Sequence, residues 1–186
     1  MSKKIFIYLL LGGAVLFAWN ACTSQKNTAV TRWYHSTNSR YNIHFNAQVA
    51  YDEALKAKNE GYKDNMTEML NVFPFDPASL EKKSEGGSFN KVIDKSVKAI
   101  KLHSIQKKPI KDASKKNDTK YQKWYSQREF NPFLRNSWLL MAKAEYQNDN
   151  YLKSISTLSY ITPLFSHDPE AVAEARIWMV MAYREL

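Results

Sequence analysis

Residues 131–186 read NPFLRNSWLLMAKAEYQNDNYLKSISTLSYITPLFSHDPEAVAEARIWMVMAYREL, and their periodicity decides the fold. Apolar residues recur at intervals of three and four in three blocks, which predicts three helices. Asn131 can cap the first, with Pro132 at the opening helical position, where its missing N–H costs nothing. Asp168 and Pro169 repeat that start signal before the third block. Strand-like alternation is hard to find elsewhere, and glycine (5) and proline (6) are few among 186 residues. The class is all-α.

Shifting the chain by 38 residues superposes Leu139 on Ile177, Met141 on Met179 and Ala144 on Ala182. A helix pair recurring every 34 residues or so resembles the tetratricopeptide (TPR) pattern, W-x₂-L-G-x₂-Y…A-x₃-F…P. Trp138, Met141, Ala142, Glu145, Ser154, Leu158 and Pro169 fill those places, with Met for Leu, Ala for Gly and the tyrosine one place late at Tyr146. Small Ala142 and Ser154 let paired helices approach, while Trp138, Leu139, Tyr151, Ile155 and Leu158 fill the space around them. The expected fold is a TPR-like helical-hairpin solenoid. Such repeats need neighbours to bury their apolar faces. Leu186 falls inside the first helix of a repeat, so the chain is expected to be the N-terminal part of a longer solenoid.

Upstream, residues 32–106 form an N-terminal helical region. An aromatic-rich lead-in precedes a helix whose apolar face carries Ala50, Tyr51, Ala54, Leu55 and Ala57. "YDEAL" at 51–55 has the character of "YLKSI" at 151–155, an echo of the same helix type. Residues 69–87 hold Pro74, Pro77, Gly86 and Gly87 and read as a packed loop. A second helix follows, with Phe89, Val92, Ile93, Val97, Ile100 and Ile105 at helical spacing. Residues 107–130 form a Lys-rich loop: seven lysines lie between positions 107 and 123 against Asp112 and Asp118, which predicts a mobile, solvated segment.

At the front, Lys3 and Lys4 precede an uncharged run, residues 5–19, too short for the roughly 20 residues of a spanning helix. Polar residues follow at once, the layout of an export signal; a signal-anchor helix is the alternative. Gly12, Gly13 and small Ala21 favour cleavage. Cys22 is the sole cysteine. A disulfide lacks its partner, and a catalytic thiol needs a base and a pocket that a polar tether does not supply. Ala21 and Cys22 resemble the end of a bacterial lipoprotein signal, although Trp19 and Asn20 depart from its usual pattern. The resemblance implies a signal peptide at 1–21, lipidation of Cys22 as the new N-terminus and a tether at 22–31. One acyl chain alone holds only marginally, so stable anchoring takes more than one. Thr23 rather than Asp after the cysteine implies the outer membrane. The absence of acidic residues before Asp52 implies the periplasmic face.

No enzymatic constellation emerges. His35, His44, His103 and His167 show no i, i+4 pair and no metal-ligand spacing. Gly86 and Gly87 lack the following Lys-Ser/Thr of a phosphate loop. Asp52, Glu53 and Glu145 read as solvated helix-face charges. No catalytic, cofactor-binding or metal residue is assigned, no cofactor is expected, and Cys22 is the one site residue. Beyond residue 21 lie 25 of the 27 Lys+Arg and all 18 Asp+Glu, a net charge of +7. "KYQKWYSQR" at 120–128 interleaves cations with aromatics as single-strand nucleic-acid binders do. An exported lipoprotein meets no nucleic acid, so anionic headgroups, cell-wall polymers or an acidic protein fit better, beside a solvated loop with no partner.

"YHSTNSRYNIHFNAQVAYDEAL", "YKDNMTEMLNVFPF", "KVIDKSVKAIKLHSI" and "EFNPFLRNSWLLMAKAEYQNDNYLKSISTLSYI", in this order after the lipoprotein cysteine, resemble the N-terminal part of the Bacteroidota TPR lipoproteins called PorW or SprE. The resemblance covers essentially all of the mature chain. It implies a non-enzymatic scaffold, lipid-anchored on the periplasmic face of the outer membrane. It further implies protein partners within the type IX secretion and gliding-motility machinery, with no nucleic acid and no small-molecule substrate. Alternatives are a BamD-like outer-membrane assembly scaffold and a SusD-like glycan-binding lipoprotein. The latter usually carries acidic and aromatic residues after the lipid cysteine, which "CTSQKNT" lacks.

Overall fold

The Thr28 side chain accepts a hydrogen bond from the Thr31 N–H (3.2 Å) and opens helix α1, Ala29–Asn38. Its hydroxyl supplies an acceptor to a donor that the helix itself leaves unpaired. The computed structural model describes residues 26–60, 66–67 and 88–186. The signal segment expected at 1–21, Cys22 and the loop expected at 69–87 lie outside the described residues. The tether expected at 22–31 is helical from Ala29, because Thr28 caps the segment that follows it.

From α1 the chain continues without a break through a π-helical turn, Ser39–His44, into α2, Phe45–Glu60. The expected aromatic lead-in is therefore itself helix. α2 buries Ala47 and Tyr51, with Ala50, Ala54 and Leu55 packed alongside, while Ala57 faces solvent. α3 spans Asn90–His103. Its inward line is Val92, Ser96, Ala99 and His103, preceded by Phe89. Val97, expected on the apolar face, is 46% exposed; the small Ser96 and Ala99 take the inward places instead, so that α3 lies close to its neighbours.

Residues 107–130 carry more structure than the expected loop. A 3₁₀ turn, Ala113–Lys115, and a short helix α4, Thr119–Tyr125, stand inside the segment. The Asp118 carboxylate caps α4, accepting from the Lys120 and Tyr121 N–H groups. The lysines are exposed as expected, but rings of Tyr121, Trp124 and Tyr125 stack beneath them.

Three helices follow: α5 (Leu134–Gln147), α6 (Tyr151–Leu164) and α7 (Pro169–Arg184). Asp168 caps α7 through the Ala171 N–H, with Pro169 at its first position, as expected. α5 begins three residues later than Asn131. The Asn131 side chain accepts from the Phe133 N–H (3.2 Å) across a turn, and its amide is committed elsewhere, so the helix starts at Leu134.

α5 is the central helix. Leu134, Leu139 and Ala142 join Leu158, Ile161, Leu164, Ala171 and Ala175 in a core between α5, α6 and α7. Leu140 and Ala144 join Ala47, Tyr51, Phe89 and Val92 in a second core with α2 and α3. A helix that is apolar on both sides is one buried between layers. All described elements are helical, and among the described residues no strand occurs. The fold is all-α.

Candidate interaction surface

Four polar side chains brought together from distant sequence hold the N-terminal helices to the rest. Glu129 is buried and accepts three hydrogen bonds: from the Ser104 hydroxyl (2.6 Å), the Ile105 N–H (2.8 Å) and the Asn131 N–H (2.9 Å). Asn131 Nδ2 donates to the His103 carbonyl (3.0 Å) and approaches the Ser39 hydroxyl at 3.4 Å. His103 and His35, both buried, share a hydrogen bond between their Nδ1 atoms at 2.9 Å. Burial pushes both imidazoles below the usual histidine pKa, and for His103 the neighbouring His35 adds to the effect. Most polar atoms of this buried cluster bond one another, which is what makes its burial tolerable, while His35 Nε2 is buried without a partner.

The same cluster closes the base of the Lys-rich excursion. The Phe130 N–H donates to the Ile105 carbonyl (2.9 Å), so the chain leaves and returns at one point. Above this base, Trp124 stands edge-on to Phe130 (centroids 5.5 Å apart), and the Arg32 guanidinium lies 5.0 Å from the Trp124 ring centre. Trp33 of α1, Trp124, Phe130, His167 and Pro169 line an open groove of about 580 Å³. Asp168 also lines it and pairs with Arg135, which pairs in turn with Glu170. Asp168, caught between that guanidinium and the Ala171 N–H, lies below the usual carboxylate range despite partial burial. A second groove of about 480 Å³, sharing Arg32 and Trp124, runs toward Asn27, Ile110 and Lys115.

Two helical faces present apolar side chains to solvent. Trp33, Tyr41, Phe45 and Val49 run along α1, the π turn and α2. Ile177, Val180, Tyr183 and Leu186 occupy the outward side of α7 and the residues after it. Single exposed apolar residues are ordinary, but grouped ones on one face mark sites of contact.

The residues singled out in the sequence fall as follows. Cys22 lies outside the described residues. Asp52 and Glu53 are solvated as expected. Glu145 corrects the expectation: it is 1% exposed, accepts from the Thr157 hydroxyl (2.7 Å) and lies 3.7 Å from Lys153. It lies between α5 and α6, where Thr157 of α6 satisfies it. His44 packs edge-on against Phe133 and His167 sits at the groove rim. The His35–His103 pair was invisible to spacing rules, since 68 residues separate its members. The matched pair Leu139 and Ile177 differs in burial, 4% against 60%, because Leu139 faces α6 and α7 while the side of α7 that carries Ile177 has no described helix over it. Among the described residues no group of three or more His, Cys, Asp or Glu side chains is placed to hold a metal, and no helix is long and apolar enough to cross a membrane. Comparison with known protein families and with curated proteins gives no match.

Proposed function

We propose that this chain is a TPR-like scaffold anchored by a lipid on Cys22 to the periplasmic face of the outer membrane. In this reading it is not an enzyme, and it joins components of the type IX secretion and gliding-motility machinery. The observation that carries the scaffold role is the pair of exposed apolar faces on a layered helical stack, on α1–α2 and on α7. Each is a surface that another helix or protein covers favourably.

The TPR-like reading draws support from α5 and α6. Both have 14 residues and are joined by a tight turn, and α7 starts at Pro169, 35 residues after Leu134. At their contact Ala142 and Ser154 are fully buried, and the Ser154 hydroxyl donates to the Ala142 carbonyl (2.9 Å). Backbones come this close only where both side chains are small. The secretion system itself is supplied by the sequence resemblance to the PorW/SprE lipoproteins.

Crosslinking in membranes followed by co-purification tests the reading. Motor or ring components of the secretion machinery are the expected partners. Recovery of a TonB-dependent transporter with glycan assigns a SusD-like role instead, and recovery of the barrel-assembly protein a BamD-like one. Metabolic acyl labelling tests the anchor: label is expected on the full chain and lost in Cys22→Ser.

A further inference from the structure

The start of the described chain is fastened to the root of the Lys-rich excursion. Asn27 Nδ2 donates to the Lys107 carbonyl (2.7 Å), and Arg32 donates to Asn27 Oδ1 (2.6 Å) while stacking on Trp124 of α4. Asn27 is five residue steps from Cys22, a stretch that reaches at most about 18 Å even fully extended. An acyl group on Cys22 therefore holds the excursion next to the bilayer and raises its effective concentration there.

The surface held there has the chemistry of a headgroup contact. Residues 107–128 carry seven lysines and Arg128 against Asp112 and Asp118, a net +6 within a chain of +9. All eight cations are exposed. The two carboxylates are engaged locally: Asp112 accepts from Ser114 and pairs with Lys115 (3.7 Å), and Asp118 caps α4. Ile110, between Pro109 and Lys111, is 98% exposed. An exposed apolar side chain flanked in sequence by Lys108 and Lys111 suits a boundary where hydrocarbon begins below charged phosphates.

We infer that the Lys107–Arg128 excursion is a second membrane contact, which lays its lysines on anionic phospholipid headgroups and inserts Ile110 among them. This rests on the Cys22 anchor proposed above. Single-stranded nucleic acid is a poorer occupant, because it needs bare aromatic faces for base stacking. Here Lys108 and Lys111 lie near the Tyr125 ring (5.1 and 5.8 Å), Lys115 near Tyr121 (5.7 Å) and Arg32 near Trp124.

The test uses the processed chain, residues 22–186, with Cys22→Ser, which keeps every described residue and carries no lipid. Sedimentation is measured with vesicles of phosphatidylethanolamine and phosphatidylglycerol, and with vesicles of phosphatidylcholine alone. Binding is expected to the anionic vesicles only, to be lost near 1 M salt, and to weaken about tenfold or more in Lys108→Glu/Lys111→Glu. Ile110→Asp is expected to weaken it as well. These side chains are exposed, and circular dichroism checks that the variants stay helical. No vesicle binding, equal binding to both compositions, or binding unchanged in the double variant overturns the inference. So does binding to poly-glutamate without binding to vesicles, which assigns the patch to an acidic protein. Acyl labelling of the full chain is read separately. Label without vesicle binding overturns this inference alone; vesicle binding without label overturns the anchor and supports the patch as a membrane contact in its own right.

Discussion

The Nδ1 atoms of His35 and His103 face each other at 2.9 Å inside the protein, so one ring donates and the other accepts. His35 Nε2 is buried without a partner. An unpaired buried N–H is rarer and costlier than an unpaired acceptor. The arrangement therefore assigns the Nδ1 proton to His35 and leaves its Nε2 bare, with His103 accepting at Nδ1. A doubly protonated pair has two donors and no acceptor. Tyr34 stands edge-on to His35, with ring centroids 5.2 Å apart.

Both histidines are held below their ordinary pKa by burial, so the unfolded chain binds these protons more readily than the folded one. Stability then rises with pH wherever that difference exists. It is complete above the ordinary histidine pKa of about 6.5 and is lost as pH falls through 6.5 toward the lowered folded values. Thermal unfolding between pH 5 and 8 is expected to show a midpoint that drops on acidification below about 6.5, with a smaller drop in the His35→Gln variant. An unchanged midpoint across that range contradicts the assignment.

Glu129 is expected to be among the costliest residues to truncate. Glu129→Ala leaves the Ile105 and Asn131 N–H groups and the Ser104 hydroxyl without their acceptor in a buried site. Each such loss costs about 1–3 kcal/mol, so a destabilisation of about 3 kcal/mol or more is expected in urea unfolding. Glu129→Gln keeps one oxygen for the two N–H groups, and the Ser104 hydroxyl can turn to accept. Its cost is expected to be less than half that of alanine. Equal costs would mean that the carboxylate shape matters little.

The architecture was legible where its causes are local. Helical periodicity marks α2, α3 and the three helices α5 to α7, and Asp168 with Pro169 marks the start of α7, because a cap and its helix are neighbours in sequence. What escaped depends on pairings across long separations. Asn131 is spent on His103 and Ser39 rather than on opening α5 at Pro132, and composition alone cannot reveal that. The Lys-rich excursion looked solvated because its lysines are. The residues that dock it, Glu129, Phe130 and Trp124, find their partners on α1 and at the end of α3. The burial of Glu145 has the same cause: Thr157, its partner, lies on the next helix. Cys22 remains a sequence inference, outside the described residues.

The turn between α5 and α6 carries a backbone test. Asp149 has φ 61°, the Asn150 N–H donates to the Glu145 carbonyl (3.0 Å), and the Asp149 N–H to the Tyr146 carbonyl (2.9 Å). That is the Schellman arrangement with aspartate in the left-handed position. Asp149→Ala is expected to cost about 1 kcal/mol, since a β-carbon without a short polar side chain is disfavoured there. Asp149→Gly is expected to cost less than Asp149→Ala, because glycine takes this φ freely. Both variants lose the bond that Asp149 accepts from Tyr151 (3.1 Å) and its pairing with Lys58 (3.9 Å), so those losses cancel in the comparison. Denaturant midpoints of the two variants decide the order.

The two sides of α7 make opposite predictions, and together they separate docking from folding. Ala175 is fully buried against α5 and α6, so Ala175→Lys forces a charge into the core and is expected to unfold much of the chain. Ile177 and Val180, 60% and 69% exposed, touch water already. Ile177→Lys/Val180→Lys is expected to change stability by less than about 0.5 kcal/mol. If this face is a docking surface, the same double variant nonetheless loses crosslinked partners from membranes, because apolar contact there is replaced by two charges that a partner would have to desolvate. Retention of every partner by a folded double variant would remove the α7 face from the scaffold and leave the Trp33–Tyr41–Phe45 face as the surface to be tested in the same way.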